Sequence, residues 1–177
     1  MKHNMSQLMM HLNTELMKAS GGRRTIAKTL MLYRLWTKSR HTFIKQWEKL
    51  NCSAFDTAVK GSSSLLVATS RGCWAEVCHY LGLLTAAAFW DFEKFFDTID
   101  PPTLVEALVE TKFPPIDAAM GIQMHLAPRV VQVQNISSLP IRVDRSILAG
   151  CMYSVPFVKA NLAKGCKTVV KSNPQAK

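Results

Sequence analysis

Acid is what this sequence has least of: 12 Asp and Glu stand against 22 Lys and Arg, leaving a formal net charge of +10. Such a chain draws phosphates or acidic surfaces toward it rather than cationic ligands. Long apolar runs are missing as well. The longest, Leu81–Trp90, is interrupted by Gly82 and Thr85, and it falls short of the roughly 20 residues that cross a bilayer. Residues 1–20 break their apolar positions with Lys2, His3, Asn4, Glu15 and Lys18, so they do not read as a secretory signal. No membrane partner is expected. The five cysteines (Cys52, Cys73, Cys78, Cys151, Cys166) are odd in number and lack metal-ligand pairing. That leaves free thiols in a reducing compartment, intracellular, in nucleus or cytoplasm. Repeats and low-complexity tracts are absent. With 48% hydrophobic residues over 177 positions, the chain can bury the core of one domain or of a large piece of one.

The charge is unevenly spread. Residues 1–60 carry 11 Lys/Arg against 3 Asp/Glu, residues 61–120 carry 3 against 8, and residues 121–177 carry 8 against 1. An acidic middle between basic flanks suits a metal-holding centre framed by phosphate-attracting surfaces. Lysine-rich solvated helix faces would produce the same totals.

Periodicity predicts a mostly helical chain. Leu8, Met9, Leu12, Leu16 and Met17 recur at spacings of three and four, so Met1–Ala19 reads as an amphipathic helix ended by Ser20-Gly21-Gly22. A second helix is expected over about Thr25–Lys49 and a third over Leu65–Tyr80, with a polar loop from Asn51 to Ser64. Ala86–Asp91, short and apolar, reads as a buried strand. Asp100-Pro101-Pro102 has the chemistry of a helix start, since aspartate caps free amides and proline fits the first turn. Pro114-Pro115 ends that helix, and Ile116–Leu126 forms another. Val131/Val133 and Ile141/Val143, alternating with polar residues, predict a hairpin. Ser154–Ala163 reads as helix and Lys164–Lys177 as a fraying basic tail.

The most informative stretch is Ala88-Phe89-Trp90-Asp91-Phe92-Glu93-Lys94-Phe95-Phe96-Asp97. An apolar run ends in an aspartate, and an aromatic follows five residues later. A carboxylate at the end of a buried strand is where magnesium can be held for two-metal nucleotidyl transfer. The pattern resembles motif A of the reverse transcriptases, particularly those of non-LTR retrotransposons. Other pieces follow that family's order from about Gly21 to Leu162. Arg24-Thr25-Ile26 and the segment after it resemble its opening Arg-Pro-Ile, with threonine in place of proline. Phe55 and Lys60-Gly61-Ser62-Ser63 are similar to its fingers loop. Ile147-Leu148-Ala149-Gly150-Cys151-Met152-Tyr153-Ser154-Val155-Pro156 resembles motif B, with Ala149 replacing the glutamine and Met152 the first proline.

The resemblance implies an α+β fold: reverse-transcriptase fingers plus an incomplete palm, mostly helical with a short antiparallel sheet. Its parts would be an N-terminal helix (1–20), a fingers-like helical region (21–85), a partial palm (86–163) and a basic tail (164–177). It implies RNA-templated DNA synthesis, with Mg2+ as cofactor and an RNA template, a DNA primer and a deoxynucleoside triphosphate as partners. Asp91 would be the catalytic carboxylate and metal ligand, with the main-chain carbonyl of Phe92 adding a ligand. Phe96 would wall the sugar, Gly150 would let backbone approach the base pair, and Arg24 and Lys28 would meet the triphosphate. The family's third motif, an Asp-Asp pair, does not occur among the 177 residues. Two divalent ions need at least two convergent carboxylates. The chain is therefore expected to be a truncated reverse transcriptase, a retroelement remnant or partial gene model, with negligible polymerase activity.

Plainer readings stand beside each residue. Asp91 fits a helix cap or a solvated strand end, and Phe96 fits core packing with Phe92 and Phe95. Asp97 and Asp100 read as a turn acid and a cap. Cys73, Cys78 and His79 lack knuckle spacing and read as buried thiols, and Trp36, Trp47 and Trp74 as packing residues rather than base-stacking ones. A second functional reading is a non-catalytic RNA-binding module using the basic flanks of residues 23–60 and 129–171. A third is a helical interaction protein.

Overall fold

The structure is a computed structural model that describes residues 10–17, 19, 21, 23–51, 56, 57, 59, 61–86 and 94–172. It divides into two compact units. The larger joins Met1–Asn51 to Lys94–Ala176, and the smaller comprises Cys52–Glu93. The fold is mixed α+β, with seven helices and a small four-stranded sheet among the described residues.

In the larger unit, strands β1 (His11–Met17) and β2 (Arg23–Lys28) form an antiparallel hairpin with Leu12 opposite Lys28. Strand β3 (Arg129–Val133) lies on the other side of β1 and runs parallel to it, His11 opposite Arg129. Strand β4 (Ile136–Ser137) returns antiparallel on β3, giving the order β2-β1-β3-β4. Two expectations fail here. Met1–Ala19 is not a helix over its second half, and the sheet is mixed rather than antiparallel. Leu12 and Leu16 satisfy helical spacing, but with Thr14 they also satisfy strand alternation, and pairing on both edges decides for strand.

The helix expected over Thr25–Lys49 is also divided. Its start is β2, and its remainder is α1 (Met31–Ser39) and α2 (His41–Asn51). Hydroxyls loosen the α1 terminus: Thr37 Oγ1 donates to Arg34 O at 3.0 Å and Ser39 Oγ to Trp36 O at 2.7 Å. The region 21–85 is thus not purely helical.

After the short helix α4 (Phe95–Thr98) come α5 (Pro101–Glu110), with proline in its first turn as expected, and α6 (Pro115–His125), whose first turn takes in Pro115, a residue read as a helix end. The hairpin closes earlier than predicted. Val133 pairs with Ile136 across Gln134-Asn135, with Gln134 at φ 53, while Ile141 makes only a single bridge to Arg129. Helix α7 (Ser154–Ser172) runs through most of the supposed tail, and the remainder of the tail, 173–177, lies outside the described residues. In the smaller unit the expected third helix, α3, spans Ser64–Tyr80. Ser63 caps its start, accepting from Leu66 N at 3.4 Å. Its end is closed by Leu83 N donating to Cys78 O at 2.8 Å. The strand read over Ala86–Asp91 lies almost wholly outside the described residues.

The core of the larger unit joins Ile44 and Trp47 of α2, Leu104 and Leu108 of α5, and Tyr153, Phe157 and Ala160 around α7 to Ile99, Phe113 and Ile147. Each fully buried side chain of this size contributes about 2 kcal/mol through lost water contact. Trp47 also donates Nε1–H to Thr111 O at 2.8 Å, satisfying a carbonyl at the end of α5. Its role is packing, as is that of Trp36 against the same core.

No described helix is long and apolar enough to cross a membrane.

Candidate functional site

Two chain segments meet at one edge of this core. The first begins at Lys94, whose left-handed backbone (φ 49) starts α4. Phe95 and Phe96 follow, half-buried against the core with ring centroids 6.2 Å apart. The second leads into Gly150. Ile147 N donates to Phe96 O at 2.9 Å and Ser146 N to Ile99 O at 3.1 Å, so the two segments run bonded together. Ser146 is buried at φ 104, a conformation costly for any residue with a Cβ. Its hydroxyl donates to Asp97 Oδ1 and accepts from Arg129 Nη1, both at 3.2 Å. Asp97 thus lies in a turn and accepts from Ser146. Asp100 caps α5, accepting from Thr103 N at 3.2 Å and Thr103 Oγ1 at 2.9 Å, and these bonds hold its carboxyl below the usual range. Both acids take the plain roles that their positions suggested.

The segment from Ile147 to Ser154 is pinned at several points. Leu148 N donates to His125 Nδ1 at 2.8 Å, and Ser154 Oγ donates to Leu148 O. Between these anchors Ala149 and Gly150 form an exposed turn. Gly150 has φ +87 with nothing within 4 Å of where a Cβ would stand, so backbone geometry, not crowding, calls for glycine. Beyond the turn Tyr153 is fully buried and donates to Asp117 Oδ1 at 2.7 Å. Asp117, also fully buried, accepts from Arg40 Nε at 3.1 Å and Arg40 Nη2 at 3.0 Å. This charge-assisted fork links the α1–α2 break to α6 and to the Gly150 segment. It raises the guanidinium pKa, while burial followed by the Asp117 bond raises the Tyr153 phenol. Tyr33 Oη lies 3.3 Å from Cys151 Sγ, and burial is the chief cause that raises the pKa of both groups.

A histidine pair lies beside β1. His125 accepts at Nδ1, so its proton sits on Nε2, which finds no partner among the described residues. Burial, then the nearby charges of His11 and Arg129, push its pKa down to about 3. His11, 2.6 Å from Met124 O through Nε2, is also lowered, chiefly by burial. Both rings are neutral at pH 7.

Of the sequence-derived candidates, Phe96 is bonded through its carbonyl to Ile147, three residues before Gly150. Lys28 is exposed at the end of β2 rather than on a helix. Arg24 occupies the β2 position opposite Leu16, again not on a helix, and its side chain lies outside the described part. Asp91 and Phe92 lie outside the described residues. Among the described residues no group of three His, Cys, Asp or Glu could hold a metal ion, and the four described cysteines are free thiols. Arg40, Asp117, Tyr153, His125 and Ser146 escaped sequence reasoning. Their separations, 77 residues for Arg40–Asp117 and 36 for Tyr153–Asp117, carry no periodic signal. No protein-family model matches the chain, and no curated protein matches it significantly.

Proposed function

We propose that this chain is a reverse-transcriptase-like fingers and palm unit that engages a DNA primer on an RNA template. In this reading Asp91 is the metal carboxylate, the Phe92 carbonyl adds a ligand to Mg2+, and Phe96 stands beside the sugar of a deoxynucleoside triphosphate. Gly150 supplies the close-approach turn, and Arg24 and Lys28 face the triphosphate. The observation that supports it best is the pair of backbone bonds from Ile147 N to Phe96 O and from Ser146 N to Ile99 O, at 2.9 and 3.1 Å. They bond the aromatic that follows Asp91 to the segment that leads into the glycine-bearing turn. With no Asp-Asp pair in the 177 residues, the chain alone holds too few carboxylates for two-metal catalysis and has negligible polymerase activity.

The test is triphosphate binding to a primer–template complex of the purified protein, with and without Mg2+. Mg2+ should strengthen retention of the nucleotide, and Asp91→Asn should abolish that gain while leaving duplex binding in place. Nucleotide retention indifferent to Mg2+ and to Asp91 would remove the reading. Primer extension that vanishes in Asp91→Ala would instead show that the lone carboxylate suffices.

The second reading, a non-catalytic RNA-binding module, is favoured by the exposed cations Arg34, Lys38, Lys45, Lys49, Arg142 and Arg145 on the two basic flanks. It expects salt-sensitive RNA binding that Asp91→Ala leaves intact.

A further inference from the structure

The second half of α7 departs from the core: from Lys164 to Ser172 every residue except Cys166 is exposed. Beside it, the end of α5 presents Glu110 and Thr111. Between the two lies a cleft of about 260 Å³, lined on one side by Glu110 and Thr111 and on the other by Lys164, Lys167, Thr168 and Lys171. The lysines recur at spacings of three and four, which places them in one row along the helix. Glu110 holds the first, with Lys164 Nζ 3.4 Å from its Oε1. Lys167 and Lys171 have no ion-pair partner among the described residues. The cleft therefore carries two uncompensated positive charges.

At the α-helical rise the row is about 10 Å long, which spans roughly three phosphates of one strand of a duplex. Its concavity suits a backbone better than a bilayer. The lysines line a hollow rather than a convex face, and the exposed large apolar side chains on this half-helix are only Val169 and Val170. An interfacial helix inserts a broader apolar face. We propose that the cleft between the end of α5 and the second half of α7 is a phosphate-backbone site that grips one strand of a nucleic-acid duplex through Lys167 and Lys171. The identity of the anion rests on the nucleic-acid reading above.

The experiment measures anisotropy of a labelled RNA–DNA hybrid across a salt series for the wild type, the double variant Lys167→Ala/Lys171→Ala, and Asp91→Asn. Both lysines are exposed and unpaired, so circular dichroism and the melting temperature should be unchanged in the double variant. Its affinity should fall about tenfold, and its slope of log affinity against log salt should be shallower by about 2. Wild-type affinity and slope in the double variant would overturn the site while leaving the Asp91 reading standing. Loss in the double variant, together with nucleotide retention that is indifferent to Mg2+ and to Asp91→Asn, would keep the site and discard nucleotidyl transfer. No duplex binding by the wild type, or binding only to phosphatidylserine vesicles, would overturn both.

Discussion

Ser146 holds a positive φ of 104 while fully enclosed, a combination that costs about 1–3 kcal/mol. Three things offset it: the amide bond to Ile99 O, the hydroxyl bond to Asp97 and the bond from Arg129 Nη1. The strain is held in place by neighbours on two separate segments, and it sets the direction in which the chain enters the Gly150 turn. Two glycines nearby show how different physics can fix the same residue type. At Gly150 the backbone alone forbids a side chain cheaply, so Gly150→Ala should cost about 1 kcal/mol with no steric sequel. At Gly121, inside α6, an added Cβ would stand 2.5 Å from Phe157 Cζ and 2.9 Å from Tyr153 Cδ2. Helix propensity alone would favour alanine by about 1 kcal/mol, but overpacking two buried rings costs about 1–3 kcal/mol or more. Gly121→Ala should therefore destabilise, by up to about 2 kcal/mol. Urea unfolding of both variants checks the order, and a stabilised Gly121→Ala would contradict the packing described.

Elements differ in how much of their own formation they encode. Helix α5 was legible because Asp100, Pro101 and Pro102 carry cap and first-turn chemistry locally, and the helix Ser64–Tyr80 because its serine-rich start and apolar body are contiguous. Strands β1 and β2 were not. The apolar spacing of β1 fits two periods, and the choice is made by its pairing with β2 and with β3, whose Arg129 lies opposite His11 from far along the chain. The same distinction runs through the site. Phe96 and Gly150 could be singled out by spacing within short segments, whereas Arg40, Asp117 and Tyr153 become neighbours only when α1, α6 and α7 pack. The junction between α2 and α5 offers a test at this scale. Trp47 reaches across to the carbonyl of Thr111 at 2.8 Å and sits edge-on to Phe113 with centroids 4.8 Å apart. Trp47→Phe keeps an aromatic in place but strands that carbonyl, and should lower stability by about 1 kcal/mol. Denaturant titration should show a lower midpoint at unchanged slope; an unaltered midpoint would mean that the bond contributes nothing net.

At the scale of the whole molecule, the buried histidines make stability depend on pH. Both are neutral in the fold, His125 held near 3 and His11 lowered, while in the unfolded chain each titrates near 6.5. Below pH 6.5 the unfolded chain binds more protons, so stability is present above that value and is lost as pH falls toward 3. The slope approaches about 1.4 kcal/mol per pH unit for each ring that stays neutral in the fold. Melting temperatures between pH 7 and pH 5 should fall accordingly. His125→Asn, which keeps an acceptor for Leu148 N, should flatten the decline, and an equally steep decline in that variant would assign the effect elsewhere. The parallel seam between β1 and β3 has a consequence for synthesis. A ribosome delivers residues 11–17 more than a hundred positions before their partners at 129–132, so the nascent hairpin waits with one edge bare. Its completion waits for residues 129–132 to emerge, and this early segment is the one a chaperone has most reason to shield.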